Sequence, residues 1–436
     1  MAHTAVHWLD LLHGGALDGA LASLYGAAAV QTQRARYDAL LRRFAEAFGG
    51  QRTAVIVSAP GRTELCGNHT DHQRGHVLAA AVAEDCVAVA SPRADDQAVL
   101  LSEGYAPVCL SLGRLEPDPA EQGTPAALLR GVAAGLARRG HTVGGFDAVA
   151  CSTVPAGAGM SSSAAFEVLL ANCLAGLYGT GAPDPMEIAR VAWEAENRYF
   201  GKPCGQMDQL SSSLGGIVHI DFADAAAPRA ERVVASLSKL GLAACLVHTG
   251  GSHADLTREY AAIPADMRLV AARLGKEVLS EVEERAFYEA LPRLRGAVPD
   301  LSLLRAMHFF QENARVPRLV EALRTGDAAQ FLALVRASGR SSFEVLQNVC
   351  PADARERGLA LALALTERFF ACDGMQETAA PHFAARVHGG GFAGAIQTFL
   401  PVGQAAAYTA YMEGIFGPGS CRPVVLRPVG GTVLAG

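Results

Sequence analysis

The sequence predicts an α+β protein of two domains, and three observations carry that expectation. Strand-like apolar runs mix with helical patterns in the first half, long helical segments dominate residues 254 to 378, and extended runs return near the C-terminus. The chain has 436 residues, of which 50% are apolar and 18% charged. That is enough for two or three cores, and it is not the composition of a disordered or collagen-like chain.

Residues 1–50 read as helical, with Tyr37, Leu40, Leu41, Phe44 and Phe48 at three- and four-residue spacing between arginines. TAVIVSAP (53–60) reads as a strand that stops at Pro60 and Gly61. GHVLAAAVAEDCVAVASP reads as two extended runs, and GGFDAVACST as a strand entering the turn VPAGAG. Helices are expected from Ser162 to Leu177 and from about Asp184 to Tyr199. Asp184 is the N-cap of the second, Pro185 its first residue, and Gly201 and Pro203 block its continuation. QMDQLSSSLGG is expected to begin a helix and turn before the strand IVHIDF. After about residue 230, ACLVHTG leads into long helices, of which DLSLLRAMHFFQENARVPRLVEALRTGD is the clearest pair. RVHGGGFAGAIQTFLP returns to a glycine loop and strand, and CRPVVLRPVGG supplies the last strand.

With 43 acidic and 37 basic side chains the formal charge is -6, which argues against broad electrostatic binding to nucleic acid or anionic membrane. Ten cysteines are scattered without a CxxC pair, as expected of small buried thiols in a reducing compartment. The N-terminus lacks a basic segment followed by an apolar stretch, and no apolar run approaches the roughly 20 residues of a spanning helix. The expectation is a cytoplasmic protein, with no nucleic-acid or membrane partner.

Three polar segments carry the chemistry. Pro155 to Ser163 (PAGAGMSSS) lies between a strand and a helix, where glycines permit tight turns and helix N–H groups can surround an anion. It is neither GxxxxGK[ST] nor GxGxxG, and taken alone it reads first as plain helix capping and second as an anion site. GRTELCGNHTDHQRGH gathers Arg62, Glu64, Asn68, His69, Asp71, His72, Arg74 and His76 after a strand. It suits a site for a hydroxyl-rich ligand, with a solvated loop or a metal set of His69, Asp71, His72 and His76 as alternatives. Asp208, in the semi-apolar setting CGQMDQ, is a base candidate or a helix cap, and Glu196 a site residue or a surface charge. The run Gly389–Gly391 implies close backbone approach to another segment or to a ligand.

Taken together, APGRTELCGNHTDHQRGHVLAAAV, VPAGAGMSSSAAFEV, AENRYFGKPCGQMDQLSSSLGG and HGGGFAGA resemble, in order, the signature segments of the GHMP small-molecule kinases, and most of all of the galactokinases. The segment RAMHFFQENARV resembles a helix of their C-terminal domain. The resemblance runs from about residue 52 to the C-terminus. It implies a first domain like that of a ribosomal protein, a ferredoxin-like second domain and an active site between them. The implied division is a helical extension over 1–50, a first domain over 51–230 completed by a strand in 420–436, and a second over 231–419.

The implied reaction is MgATP-dependent phosphorylation of the C1 hydroxyl of galactose. Asp208 then matches the catalytic aspartate and Arg62 its conserved partner. Asn68, His69, Asp71, Gly205 and Tyr260 match sugar-contacting positions. Gly157, Ala158, Gly159, Met160, Ser161, Ser162 and Ser163 match the ATP loop, and Ser162 or Ser163 with Glu196 the Mg²⁺ ligands. The usual signature has asparagine at Glu64, glutamate at Asn68, tyrosine at His72, threonine at His388 and glycine at Ala393. These departures keep open a same-fold kinase for N-acetylgalactosamine or arabinose, and a non-catalytic galactose and ATP sensor. A monomer or weak homo-oligomer is expected.

Overall fold

The computed structural model describes residues 2–155, 159–179, 181, 184–251, 256–353, 355–372 and 381–435. A short strand β1 (His3–Thr4) precedes helices α1 (Ala5–His13), α2 (Asp18–Tyr25) and α3 (Val30–Phe48). Strands β2 (Thr53–Cys66), β3 (His76–Pro92), β4 (Gln97–Ser102) and β5 (Val108–Ser111) follow, then α4 (Pro125–Arg138) and β6 (Phe146–Ser152). Next come α5 (Ser162–Tyr178), α6 (Pro185–Ala195), α7 (Met207–Leu214), β7 (Ile217–Asp221), β8 (Arg229–Val233) and β9 (Leu242–His248). The helical stretch is α8 (Thr257–Arg273), α9 (Glu284–Leu294), α10 (Asp300–Thr325), α11 (Ala328–Arg340) and α12 (Gly358–Cys372). The chain ends with β10 (Ala384–Val387), β11 (Ala395–Pro401), α13 (Ala405–Phe416), β12 (Cys421–Val424) and β13 (Thr432–Val433).

These strands form two sheets. The nine-stranded sheet runs β1-β2-β3-β6-β4-β5, with β7 and β8 added beside β3 and the late strand β13 paired to β2. The second sheet is antiparallel in the order β10-β11-β9-β12. The final segment therefore serves both sheets, Cys421–Val424 on β9 and Thr432–Val433 on β2.

Alternation along the central strands explains the layers. Val55, Val57 and Ala59 of β2, with Cys86, Ala88 and Ala90 of β3, face a core shared with α4, α5 and α6. Ala54, Ile56, Val87 and Val89 face the other way, onto Trp8, Leu21, Tyr37, Leu41 and Phe44 of the N-terminal helices. The first 50 residues are thus the outer layer that buries the second face of the sheet, and Trp8 Nε1 donates to the Ala54 carbonyl at 2.9 Å. In the second sheet, Ala244 and Leu246 of β9 face the first core, and Cys245 and Val247 face α12 and α13.

Two expectations are corrected. β2 does not stop at Pro60 and Gly61 but continues to Cys66, with register shifts at 60/62 and 64/66. A Cβ at Gly61 would lie 2.8 Å from the Met160 carbonyl, so glycine lets the bulged strand pass against that backbone. The segment after Gly75 is one strand, not two. Asp85 crosses the sheet interior because Tyr25 Oη (2.5 Å), Arg36 Nη1 (2.6 Å), Arg427 Nη1 (3.0 Å) and the Ser58 hydroxyl all donate to its carboxylate. The helix that begins with Asp184 capping Met186 N–H at 3.1 Å runs on to Phe200 before Gly201, as expected, with Glu196–Phe200 wound as a π turn. The nine cysteines whose side chains are described are free, and no described helix is long and apolar enough to cross a membrane.

Candidate active site

The bulge after Gly61 places Arg62 between two loops. Its Nε donates to Asp208 Oδ1 at 2.6 Å and its Nη1 to the Gly159 carbonyl. Asp208 sits in the first turn of α7, and Ser161, the residue before α5, donates its hydroxyl to the other carboxylate oxygen. Ser161 is left-handed at φ 59° and its side chain caps no helix N–H, so its hydroxyl serves Asp208 instead. Burial works against charge on Asp208, but Arg62, Ser161 and Lys202 outweigh it and hold the carboxyl below its usual range. The Asp208 side chain keeps 30% of its surface open, so a ligand can reach it.

The turn 67–75 is fastened from below by α10. Glu312 accepts from Gly67 N–H at 3.1 Å, Asn313 Oδ1 from His76 N–H at 2.7 Å, and His308 Nε2 lies 3.0 Å from the Asn68 carbonyl. From the side it meets the glycine run, whose three carbonyls each accept a side chain. Asn68 Nδ2 donates to Gly389 (2.6 Å), His69 Nε2 to Gly390 (3.0 Å) and Tyr260 Oη to Gly391 (2.7 Å). A Cβ at Gly390 would lie 2.5 Å from the Tyr260 ring, so the run approaches another protein segment, one of its two sequence readings. Burial, then His72, lowers His69 to about 4, leaving it neutral at ordinary pH. Asp71 stands apart with Gly205 against it, where a Cβ would lie 2.8 Å from Oδ2.

A third cluster surrounds Glu196. Ser163 Oγ donates to its Oε1 at 2.9 Å, Lys202 Nζ lies 2.8 Å from the same oxygen, and Cys204 Sγ donates to Oε2 at 3.0 Å. Gln209 Nε2 bridges Glu196 Oε2 (2.7 Å) and Glu167 Oε2 (3.1 Å). Burial and then Glu196 push the fully buried Glu167 carboxyl well above its usual range. Beside this cluster opens a cavity of about 350 Å³, walled by Val108, Cys151, Val154, Phe166 and Leu169 with Ser102 and Ser162 at its polar side.

The structure therefore brings Arg62, Gly159, Ser161 and Asp208 together, and Ser163 beside Glu196. It sets Asn68, His69 and Tyr260 on the glycine run. The Met160 side chain lies in the core, leaving only its backbone toward the loop. Gly157 and Ala158 lie outside the described residues. Among the described residues no group of three or more His, Cys, Asp and Glu side chains is arranged to hold a metal, which removes the set His69, Asp71, His72 and His76. Sequence reading passed over Glu167, a lone acid on the apolar helix α5, and over the cavity, whose walls come from segments distant in sequence.

Residues 42–92 match the galactokinase galactose-binding signature and residues 127–216 the GHMP kinase N-terminal domain. A galactokinase of Streptomyces coelicolor is 33% identical over 379 residues, covering 86% of this chain and 91% of that protein. The human galactokinase is 33% identical over 395 residues, with the same coverage of 86% and 91%. In structure, Lactococcus lactis galactokinase complexed with galactose matches with a TM-score of 0.75 at 22% identity, over 90% of this chain and 98% of that one. Methanococcus jannaschii mevalonate kinase matches at 0.60 and 13% identity, over 85% and 98%. Both share the fold.

Proposed function

The chain belongs to the galactokinase family, and from that premise we propose that it transfers the γ-phosphoryl group of ATP to the C1 hydroxyl of α-D-galactose, giving α-D-galactose 1-phosphate and ADP. The observation that carries this reading is Asp208, ionised between Arg62 and Ser161 where the start of α5 meets the strand bulge at Gly61.

In this reading Asp208 accepts a hydrogen bond from the C1 hydroxyl and takes its proton late. A carboxylate held below its usual range is a weak base, so alignment of the attacking oxygen is its larger contribution, in keeping with a loose phosphoryl transition state. Arg62 offsets charge that develops on the transferred group. Asp71, kept accessible by the missing side chain of Gly205, accepts bonds from sugar hydroxyls. The apolar cavity takes the adenine and the N–H groups opening α5 take phosphate oxygens. Ser163 and Glu196 are oxygen donors suited to Mg²⁺, and Ser163 is preferred to Ser162 because its hydroxyl already meets Glu196. Held there, Mg²⁺ would supply charge neutralisation to the phosphates. The domain division 51–230 with a strand in 420–436, and 231–419, stays part of this proposal, although β8 (Arg229–Val233) crosses its first boundary and β12 (Cys421–Val424) joins the second sheet; so does a cytoplasmic location.

One observation favours a second reading, a different sugar. Asn68 donates to Gly389 and accepts from Asn348 Nδ2 at 2.7 Å, and Glu64 is drawn into a buried pair with Arg386 at 2.8 Å. Neither is free to receive a sugar hydroxyl as a glutamate at position 68 would be. The test is ADP release by the purified protein with MgATP and galactose, N-acetylgalactosamine, glucose or arabinose. Galactose-dependent turnover lost in Asp208→Ala is the expected result. Turnover with another sugar alone would select the second reading, and none at all would overturn both.

A further inference from the structure

A side-chain cation already stands on the carboxylate assigned to Mg²⁺. Lys202 Nζ lies 2.8 Å from Glu196 Oε1, the oxygen that also accepts from Ser163. The other oxygen, Oε2, is taken by Cys204 Sγ and Gln209 Nε2, so Oε1 is where a metal ion would be received. The Glu196 side chain is 3% exposed and that of Lys202 57%, which makes the ammonium the partner free to move.

Its root is fixed. Lys202 N–H closes the π turn on the Glu196 carbonyl at 3.1 Å, and Trp193 Nε1 fastens the Cys204 carbonyl at 2.8 Å. Among 37 basic side chains only three are lysines, at 202, 239 and 276. A lysine is a compact charge with three rotatable donors, able to change partners where the planar fork of arginine grips one carboxylate.

Two cations on one oxygen repel, so Lys202 must leave Oε1 for a metal ion to be received there. The nearby carboxylates do not invite it, since Asp208 is held by Arg62 and Ser161 and Glu167 is buried on Gln209. A nucleotide phosphate supplies the partner. Ser163 both meets Glu196 and lines the cavity, and Ser161, two residues earlier, holds Asp208. Lys202 thus stands, half in solvent, beside the way from cavity to Asp208. Against burial, and after Arg62 and Ser161, its charge also helps to hold the Asp208 carboxyl down.

We propose that Lys202 keeps the cation's place on Glu196 in the nucleotide-free protein, then yields it to Mg²⁺ and donates to a phosphate oxygen of the bound ATP. This rests on the kinase reading above.

Lys202→Met removes the charge at nearly constant length, and Lys202→Arg keeps it. Calorimetric affinity for the non-hydrolysable analogue AMP-PNP is measured in EDTA and at saturating Mg²⁺, beside affinity for galactose and turnover with MgATP. Lys202→Met is expected to bind AMP-PNP about 10- to 100-fold more weakly in both conditions, with galactose affinity unchanged. Its kcat at saturating Mg²⁺ should fall by a similar factor, and Lys202→Arg should keep most of the affinity. A weakening in EDTA that vanishes at saturating Mg²⁺ would mean that Lys202 only screens Glu196, and would overturn the proposal. An equal loss of galactose affinity would overturn it too, as a general effect on the fold. Absent turnover in the unaltered protein refutes the kinase reading itself, whereas full AMP-PNP affinity in Lys202→Met refutes only the role of Lys202.

Discussion

Replacing Arg62 by glutamine tests the core of the site, because one side chain sets the charge state of Asp208 and faces the transferred group. The structure gives it a 2.6 Å charged hydrogen bond to Asp208 and a second bond to the Gly159 carbonyl. A charge-assisted bond contributes about 1.5–3 kcal/mol, or roughly one to two powers of ten in rate. Loss of a donor aimed at developing charge costs about 10²–10³. The two effects share one guanidinium and overlap, so kcat/KM should fall by about 10³ rather than by their product. The pH profile is the more telling readout. Without Arg62, burial of Asp208 is opposed only by Ser161 and Lys202, its carboxyl rises, and the acid limb of kcat/KM moves up toward neutrality. Arg62→Lys keeps the charge but not the fork between Asp208 and Gly159, and should fall between the two. An acid limb that does not move in Arg62→Gln, at whatever rate, would refute the coupling.

Three further changes probe separate parts of the site. Gly205→Ala puts a methyl 2.8 Å from Asp71 Oδ2, so the KM for sugar should rise about 10-fold with kcat little changed; a lowered kcat at constant KM would remove Asp71 from sugar binding. Glu196→Gln should raise the Mg²⁺ concentration for half-maximal ADP release by about 10–100-fold, and an unshifted titration would place the cation elsewhere. His69, lowered to about 4 in the folded protein, stays neutral while the unfolded chain takes up a proton below about 6.5. The unfolded state binds more protons in that window, so His69 removes stability as pH falls from 6.5 toward 4. Denaturant melts of His69→Asn should show a pH slope shallower by up to about 1.4 kcal/mol per unit. Identical slopes would mean that His69 titrates normally.

What the sequence made legible was local. The helical spacing of Tyr37, Leu40, Leu41 and Phe44, and the Asp184–Pro185 cap, depend on residues within a few turns, and the structure keeps them. Pro60 and Gly61 misled because their usual meaning is a stop. Here they form a bulge whose reason, the Met160 backbone, lies 100 residues away. Asp85 misled for the same reason, since the partners that make an acid tolerable inside a strand come from α2, α3 and the C-terminal tail. The motif resemblance gathered the polar residues into one region but gave no partner to each. Only the fold shows that Asn68, His69 and Tyr260 hold the glycine carbonyls while Asp208 keeps part of its surface open between Arg62 and Ser161. Glu167 was visible as a lone acid on an apolar helix, yet its partner Gln209 lies on another helix.

The exchange of residue types at 64 and 68 gives the last test. Glu64 Oε1 lies 2.8 Å from Arg386 and 3.4 Å from Asn68 Nδ2, so the two positions share one small buried space that spans both sheets. One carboxylate there is balanced by one guanidinium. Glu64→Asn alone leaves Arg386 with only Glu312, itself bonded to Arg315, as counter-charge, so it destabilises. Asn68→Glu alone sets two carboxylates on a single arginine and gives up the donor to Gly389, so it also destabilises. Combining them restores the charge balance, with the carboxylate now on the turn that faces the cleft. The double variant should therefore be more stable than the sum of the singles by about 1–3 kcal/mol in denaturant melts. It should also discriminate more sharply among sugars, because a carboxylate at 68 has a second oxygen with which to accept a hydroxyl while the first meets Arg386. Strict additivity would show that the two sites do not share a charge, and that the substitution at 68 acts on the sugar independently of Arg386.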